Sequence, residues 1–564
     1  MTNLFLWLMA VFTKQARDRF VRKTKRVSEV QAEFLRSLLA YHQNTALGQA
    51  LKLSNIQTVE QFRQQVPIMP YSAYEPYVAR VAAGEQNVMT PDPVTYLNLT
   101  SGSTGKQKLI PVTKRSRKFI AKANTVGMGF GLASARQRGL TLGKMLITSS
   151  IQASGYTTGG IPYGPVSAGD LRMSNALYRQ VFAHPFDVLR ISDSLARNYV
   201  ALLHALRVED LRIIGANFPI FALRLCDYLD TYAEELLHDL ENGAIADWVQ
   251  IDPELRHQLE RQLTPAPKRA AQLRSILKTT GTLTPQLVWP DLSFMITARG
   301  GTSSFYFERF PTYFGNAPVF GGVYASSEAT FGVYHDFNQD GTILAIESGF
   351  FEFVPQDQWD AEHPKTLLPI EVTPGQQYRL LVTNYSGFYR YDIGDVVEVL
   401  GFYEQAPVIV FRHRLGGLLS STTEKTTEFH ATQVMQGLQQ EFDLPLINYC
   451  ITLSDEEYPP HYLVNIEIAP GHKLTNPKRF LERFDDRLKE IHGSYASKRG
   501  EQVPSPRLRI LDAGSFAELQ QAMVRRGMLE TQLKIPHISE DRHFLAGLKV
   551  LQEVRMDEEM QMSR

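Results

Sequence analysis

Cysteine is nearly absent: Cys226 and Cys450 are the only two in 564 residues. Two cysteines cannot build a disulfide framework, and such usage fits a reducing, cytoplasmic compartment. An excess of charge of one sign is missing as well. Lysine plus arginine number 59 and aspartate plus glutamate 59, so the formal net charge is zero. That balance argues against nucleic acid as a whole-chain electrostatic partner. Long apolar runs are also lacking. Residues 4–12 (LFLWLMAVF) are apolar, but a transmembrane helix needs about 20 such residues. The basic residues Lys14, Arg17, Arg19, Arg22, Lys23, Lys25 and Arg26 follow this run instead of preceding it, the reverse of a secretory signal. The segment is expected to be a first helix packed on its domain with a solvated basic face. Weak contact of the N-terminus with a membrane surface is the alternative, and no integral membrane segment is expected.

What is present describes an ordinary globular chain. Hydrophobic residues make up 43% and charged residues 21%, enough for a large self-sufficient core. Residues 15–65 read helical, with Val30, Phe34, Leu38 and Leu39 at helical spacing. Short apolar runs at 145–148, 211–214 and 292–296 read as buried strands, and helical stretches at 219–242 and 253–278 lie among them. Alternation of this kind predicts α/β layers. From about 341 to 412 the chain turns strand-dense, with runs at 343–346, 349–354, 378–383, 396–400 and 408–411. An antiparallel or barrel-like β subdomain is expected there. A boundary is expected near 416–423 (GGLLSSTT), giving a large domain over 1–420 and a small α+β domain over 421–564. In the small domain the sequence predicts helices at 429–440, from Asn476-Pro477 onward and at 516–524, and strands at 462–468 and 508–511. Phe480, Phe484, Leu488 and Ile491 are expected to share one helix face.

Four constellations carry chemistry. The first is the run 97–111 (LNLTSGSTGKQKLIP), which packs Thr100, Ser101, Ser103 and Thr104 around Gly102 and Gly105, with Lys106 and Lys108 just after. Glycine lets backbone N–H groups approach an anion, hydroxyls add donors, and lysines add point charges. Such a loop suits phosphate, although its order is not the Walker pattern. A plain Ser/Gly turn between strands is the competing reading. The second is 321–332 (GGVYASSEATFG), with Tyr324 three residues before Ser327 and Glu328. Magnesium prefers one or two carboxylates plus substrate phosphate oxygens, so Glu328 is the metal candidate, against a surface glutamate after a strand.

The third constellation is 387–397 (GFYRYDIGDVV). Asp395 follows a glycine and opens a strand, well placed to accept hydrogen bonds from ribose hydroxyls. Asp392 competes for that role, and a turn aspartate is the ordinary alternative. Arg414, in 411–414 (FRHR), is a candidate for the same nucleotide. The fourth is 532–537 (QLKIPH), where Lys534 sits between apolar residues and before a proline. Such a constrained lysine can deliver charge to a reacting phosphate or carboxylate. Taken alone, it reads first as a solvated lysine.

Taken together, these residues resemble the acyl-acid amido synthetases first known as auxin-responsive plant proteins, the Gretchen Hagen family of the adenylate-forming superfamily. The likeness spans nearly the whole chain. Its landmarks are 62–67 (FRQQVP), 74–77 (YEPY), the loop at 99–111, 324–332, 351–355 (FEFVP), 389–397, 424–428 (EKTTE) and 532–536. Departures are the Ser103-Thr104 order, Ala329 after the motif glutamate, Asp392 where arginine is common and His537 where arginine is usual.

The resemblance implies ATP and Mg²⁺ as cofactors. Thr100 through Lys106 would line the ATP phosphates with Tyr324 and Ser327 beside them, Asp395 would hold ribose, and Glu328 the metal. Residues 299–302 (RGGT) resemble the loop beside adenine. Lys425 and Lys534 match the catalytic lysines of the hinge and the small domain. The implied reaction adenylates a carboxylic acid, then passes the acyl group to an amino acid and releases AMP. The implied small domain rotates between the two half-reactions. Coenzyme A or a carrier as acceptor, and a non-catalytic binding protein of the same fold, are the rival expectations. Residues 161–165 (IPYGP) and 217–219 (NFP) are candidate walls of the acid pocket; the acid itself is not legible.

Overall fold

The structure is a computed structural model. It describes residues 4–101, 107–147, 149, 151, 153–166, 175–301, 303–359, 361–415, 417–422, 424–455, 457, 459–499, 502–525, 528 and 533–556. The side chains of residues 4–9, 101, 107 and 175–177 lie outside that description. The chain forms two compact units. One takes most of the residues up to Phe411; the other takes Gly301–Arg309 and the chain from Arg412 onward.

The larger unit is layered α/β. Strands Lys144–Ile147, Leu211–Gly215, Phe294–Ile296 and Val319–Phe320 form a four-stranded sheet in that order, parallel throughout. Its strands are short apolar runs, as a sheet covered by helices requires. The expected helix at 219–242 is two helices, Pro219–Thr231 and Ala233–Asn242. The expected helix at 253–278 is also two, Pro253–Glu260 and Pro267–Thr280. Pro265 and Pro267 cause the second break, since neither has an N–H to continue a helix. At the N-terminus, helix Leu4–Lys23 packs on helix Lys114–Gln137. Phe20 meets Phe130 edge-on with ring centroids 6.4 Å apart, while Phe12 stays exposed. Val30, Phe34, Leu38 and Leu39 are all buried on helix Val27–His42.

The strand-dense region is a seven-stranded sheet. Its order is Phe350–Pro355, Gln377–Thr383, Tyr391–Tyr403, Ala406–Arg414, Thr342–Leu344, Thr330–Tyr334 and Val323–Ala325. The last two strands carry the serine–glutamate motif, so that motif is the turn of the hairpin at this sheet's edge. A second four-stranded sheet holds Gln107–Val112, Tyr96–Ser101, Pro162–Gly164 and Gly155–Tyr156.

The smaller unit is α+β. Strands Leu446–Leu453, Tyr462–Ile468, Arg507–Leu511 and Val550–Val554 form one sheet. Helices Glu428–Phe442, Pro477–Ile491 and Ser515–Arg525 lie in the same unit. Asn476 caps the second of these by accepting from the Arg479 N–H at 3.0 Å. Phe480, Phe484 and Leu488 are fully buried, but Ile491 is exposed. It is the last residue of its helix, where the apolar stripe runs out.

Candidate active site

Strand pairing frames the run 97–111. Tyr96–Ser101 runs antiparallel to Gln107–Val112, with Thr100 opposite Lys108 and Ser101 opposite Gln107. The expected phosphate contacts Gly102, Ser103, Thr104, Gly105 and Lys106 lie outside the described residues. Thr100 is half-buried at the end of its strand.

One strand position earlier in the alternation, Asn98 is buried and donates through Nδ2 to the Ser327 carbonyl at 3.1 Å. This bond ties the strand that leads into the Ser/Gly run to the hairpin that carries Glu328. Nothing in the sequence reading singled out Asn98. The available signal was an amide between Leu97 and Leu99, polar in a strand whose neighbours are apolar.

Glu328 is held from three sides. Ser326 Oγ donates to Oε2 at 2.7 Å and also accepts from the Glu328 N–H at 3.1 Å. The Tyr391 hydroxyl donates to Oε1 at 3.3 Å. Asn384 Nδ2 donates to the Glu328 carbonyl at 3.0 Å. The carboxylate is therefore fixed in direction while each oxygen keeps accepting capacity. Ser327 contributes its backbone carbonyl to this arrangement. Among the described residues no group of three or more His, Cys, Asp and Glu is arranged to hold a metal. A single oriented carboxylate suits Mg²⁺, which takes one or two protein carboxylates and fills its remaining positions with phosphate oxygens and water.

Asp395 is buried, and the Tyr324 hydroxyl donates to its Oδ2 at 2.7 Å. Tyr324 packs between Phe331, at 5.1 Å, and Phe411, at 5.8 Å between ring centroids. The competing carboxylate, Asp392, faces other groups. Its side chain accepts from the Gly394 N–H at 2.9 Å and pairs with Arg379 at 3.5 Å. Burial raises the Asp392 carboxyl above its usual range, with Arg379 opposing. The Tyr389–Val397 motif thus divides its polar residues: Tyr391 to Glu328, Asp395 to Tyr324, Asp392 to Arg379. Arg390 turns into the core, at a positive φ of 45°, and forks onto Glu352 at 3.0 and 2.9 Å. The Arg299 guanidinium of the 299–302 run is paired with Asp340 at 2.8 Å.

The smaller unit holds the remaining candidates. Arg414 ends its strand half-buried. Lys425 is exposed at a positive φ of 59° in the turn between strands Leu418–Leu419 and Thr426–Thr427. Its N–H donates to Ser420 Oγ at 2.8 Å. The preceding Glu424 is buried and accepts from Thr422 N–H at 3.0 Å and the Tyr462 hydroxyl at 2.6 Å. Burial raises the Glu424 carboxyl, but these donors outweigh it and leave it below the usual range.

Lys534 sits between buried Leu533 and Ile535. The segment runs beside strand Leu446–Leu453: the Ile451 N–H donates to the His537 carbonyl and the Ser539 N–H to the Ile451 carbonyl, both at 2.9 Å. The Lys534 ammonium faces Glu428, with Nζ–Oε2 at 3.8 Å. Glu428 went unremarked in the sequence except as part of 424–428. Its signal was an acid directly after a capping Thr427, where a helix N-terminus favours negative charge.

The GH3 family N-terminal domain model matches residues 16–319, the central domain model 342–414 and the C-terminal domain model 429–543. The chain belongs to the GH3 family. Among its GH3 relatives, indole-3-acetic acid-amido synthetase GH3.3 of Arabidopsis thaliana is 26% identical over 547 residues, covering 92% of this chain and 90% of the relative. Indole-3-acetic acid-amido synthetase GH3.8 of Oryza sativa subsp. indica is 25% identical over 92% of this chain and 89% of its own length. The solved GH3.15 acyl acid amido synthetase shares the fold with a TM-score of 0.85 at 22% identity, over 96% of this chain and 97% of that one. A 2-hydroxyisobutyryl-CoA ligase in complex with 2-HIB-AMP superposes with a TM-score of 0.56 at 12% identity, over 96% of this chain and 93% of that one. The fold is therefore shared with adenylate-forming ligases outside GH3.

Proposed function

We propose that this GH3 chain is an ATP-dependent acyl-acid amido synthetase. The observation that carries the reading is the tether of Asn98 to Ser327. It couples the strand entering a phosphate-type run to a hairpin presenting an oriented carboxylate, in a chain of this family. The carboxylate oxygen of the acid attacks the α-phosphorus of ATP, and the bond to pyrophosphate breaks. The amine nitrogen of an amino acid then attacks the acyl carbon, loses a proton, and AMP leaves. The protein's part is to position reactants and stabilise developing charge.

Asp395 accepts from ribose hydroxyls while Tyr324 fixes its direction. Mg²⁺, held by Glu328, would neutralise phosphate charge. Residues 100–106 would donate to the phosphates, and Arg414 and Lys425 would approach the nucleotide from the smaller unit. Lys534 serves the adenylation half-reaction, and the boundary near 420 acts as a hinge between domains 1–420 and 421–564. No helix among the described residues is long and apolar enough to cross a membrane. The two buried free cysteines support a cytoplasmic setting.

Acid-dependent exchange of labelled pyrophosphate into ATP, over indolic, aromatic, benzoic and fatty acids, tests the first step. Exchange with one acid class establishes adenylation and names the substrate; no exchange with any acid, while MgATP binds, overturns it. Product formation with amino acids against coenzyme A then decides the acceptor.

A further inference from the structure

Lys534 is a flexible side chain on a rigid base. Leu533 and Ile535 are buried to 2% and 1% exposure, Pro536 follows, and residues 537–539 bond to Ile451 on both sides. The backbone is therefore set, and what remains free is the four-carbon stem carrying the ammonium. Among the described residues, the carboxylate paired with that ammonium is Glu428. Glu428 lies 3.8 Å from Nζ through Oε2, while its Oε1 accepts from the His537 N–H at 2.8 Å. Glu428 is thus clamped by the segment that carries Lys534: the same few residues supply both the ammonium and the amide that aims its partner.

The surroundings make the pair selective. His537 is fully buried, stacked on Tyr449 at 4.1 Å between ring centroids. Its Nδ1 lies 3.3 Å from Thr432 Oγ1 and its Nε2 3.4 Å from the Tyr306 hydroxyl. Burial holds the His537 imidazole down to about 3, so it is neutral near pH 7. Lys534, His537 and His413 act on Glu428 to lower its carboxyl, and the buried Tyr449 and Cys450 interact with it electrostatically as well. Burial raises the Glu428 carboxyl, and Lys534 first among the opposing groups brings it below its usual range.

We propose that Glu428 is the positioning residue for Lys534, holding its ammonium in a defined direction for the adenylation half-reaction. The inference rests on the function proposed above. Loss of the carboxylate would leave the ammonium to sample its rotamers in water, and misplacement by about 1 Å costs as much as 100-fold in rate. The acyl-transfer half-reaction, in which Lys534 has no part, would be spared.

The test uses Lys534→Ala, Glu428→Gln, Glu428→Asp and the double variant Lys534→Ala/Glu428→Gln in the full chain. Pyrophosphate exchange and aminolysis of a supplied acyl-adenylate are measured separately. Glu428→Gln is expected to lower kcat for exchange about tenfold or more, with KM for ATP and aminolysis near parental values. Glu428→Asp should recover part of the loss, and Glu428→Gln should cost nothing further once Lys534 is alanine. A further loss in the Lys534→Ala background, or a parallel fall in both half-reactions, would show a purely structural role and overturn the proposal. Parental exchange in Glu428→Gln overturns it as well. Parental exchange in Lys534→Ala overturns the adenylation role of Lys534 itself, a failure read independently of Glu428.

Discussion

The Tyr324 hydroxyl and Asp395 Oδ2 meet at 2.7 Å across 71 positions of sequence. The two side chains come from the edge hairpin and an inner strand of one sheet, and each removes a freedom from the other. Tyr324→Phe should therefore weaken ATP binding without unfolding the protein. Loss of that bond costs about 1.5–3 kcal/mol of stability, and ATP affinity falls by the part of it that orienting Asp395 now demands on binding. Calorimetric titration of ATP into the variant measures this. Unchanged affinity would separate Asp395 from the ribose.

Glu328→Gln keeps the side-chain volume and the Ser326 contact but removes the charge. The concentration of Mg²⁺ needed for half-maximal pyrophosphate exchange should rise at least about tenfold, since a hard cation selects charged oxygen. Saturating Mg²⁺ should restore part of the rate. A rate that falls equally at every Mg²⁺ concentration would mean that Glu328 acts on something other than the metal.

Arg390, within the same motif as Asp395, has a different job. It pairs with Glu352 and donates to the carbonyls of Arg63 and Val66, both at 2.7 Å. Both members of the pair are buried, at 5% and 1% exposure. Breaking a buried pair costs about 3–5 kcal/mol, and Arg63, 3.7 Å from Glu352, would offset part of that. Arg390→Met should lower the urea midpoint accordingly. Normal stability with lost activity would place Arg390 in the active site instead.

The contrast shows where sequence reading works and where it stops. Periodicity and turn residues located helix Pro477–Ile491, its Asn476 cap and strand Tyr462–Ile468, because these are local properties of a few neighbouring residues. Glu328 beside two serines was visible for the same reason. Pairings across distant strands left no local mark. The union of Tyr324 with Asp395 and the bond from Asn98 to Ser327 arise from sheet order. So does the inward turn of Arg390, whose charged side chain in sequence reads equally well as a ligand contact. The break near Pro265 was written in the sequence, where two prolines stand inside the stretch expected to be one helix. Glu428 needed both views: an acid after a threonine cap is a local signal, but its partner Lys534 is over a hundred residues away.

Buried histidines set the response to acid. Burial holds His204 down to about 3 and both His42 and His430 to about 4, against an ordinary value of 6.5. The unfolded chain takes up protons at these rings as pH falls through about 6.5, while the folded chain refuses them until near its lower values. The unfolded state then binds more protons, so stability is complete above that range and declines as pH drops below it. Each such ring contributes a slope of about 1.4 kcal/mol per pH unit. His204 isolates the effect, since its Nε2 is buried without a hydrogen-bond partner among the described residues. His204→Leu deletes the titrating group without breaking a bond at that atom. Its urea midpoint should fall less steeply than the parent's between pH 6.5 and pH 5, and parallel slopes would show that His204 is protonated in the folded state at the same pH as in the unfolded one.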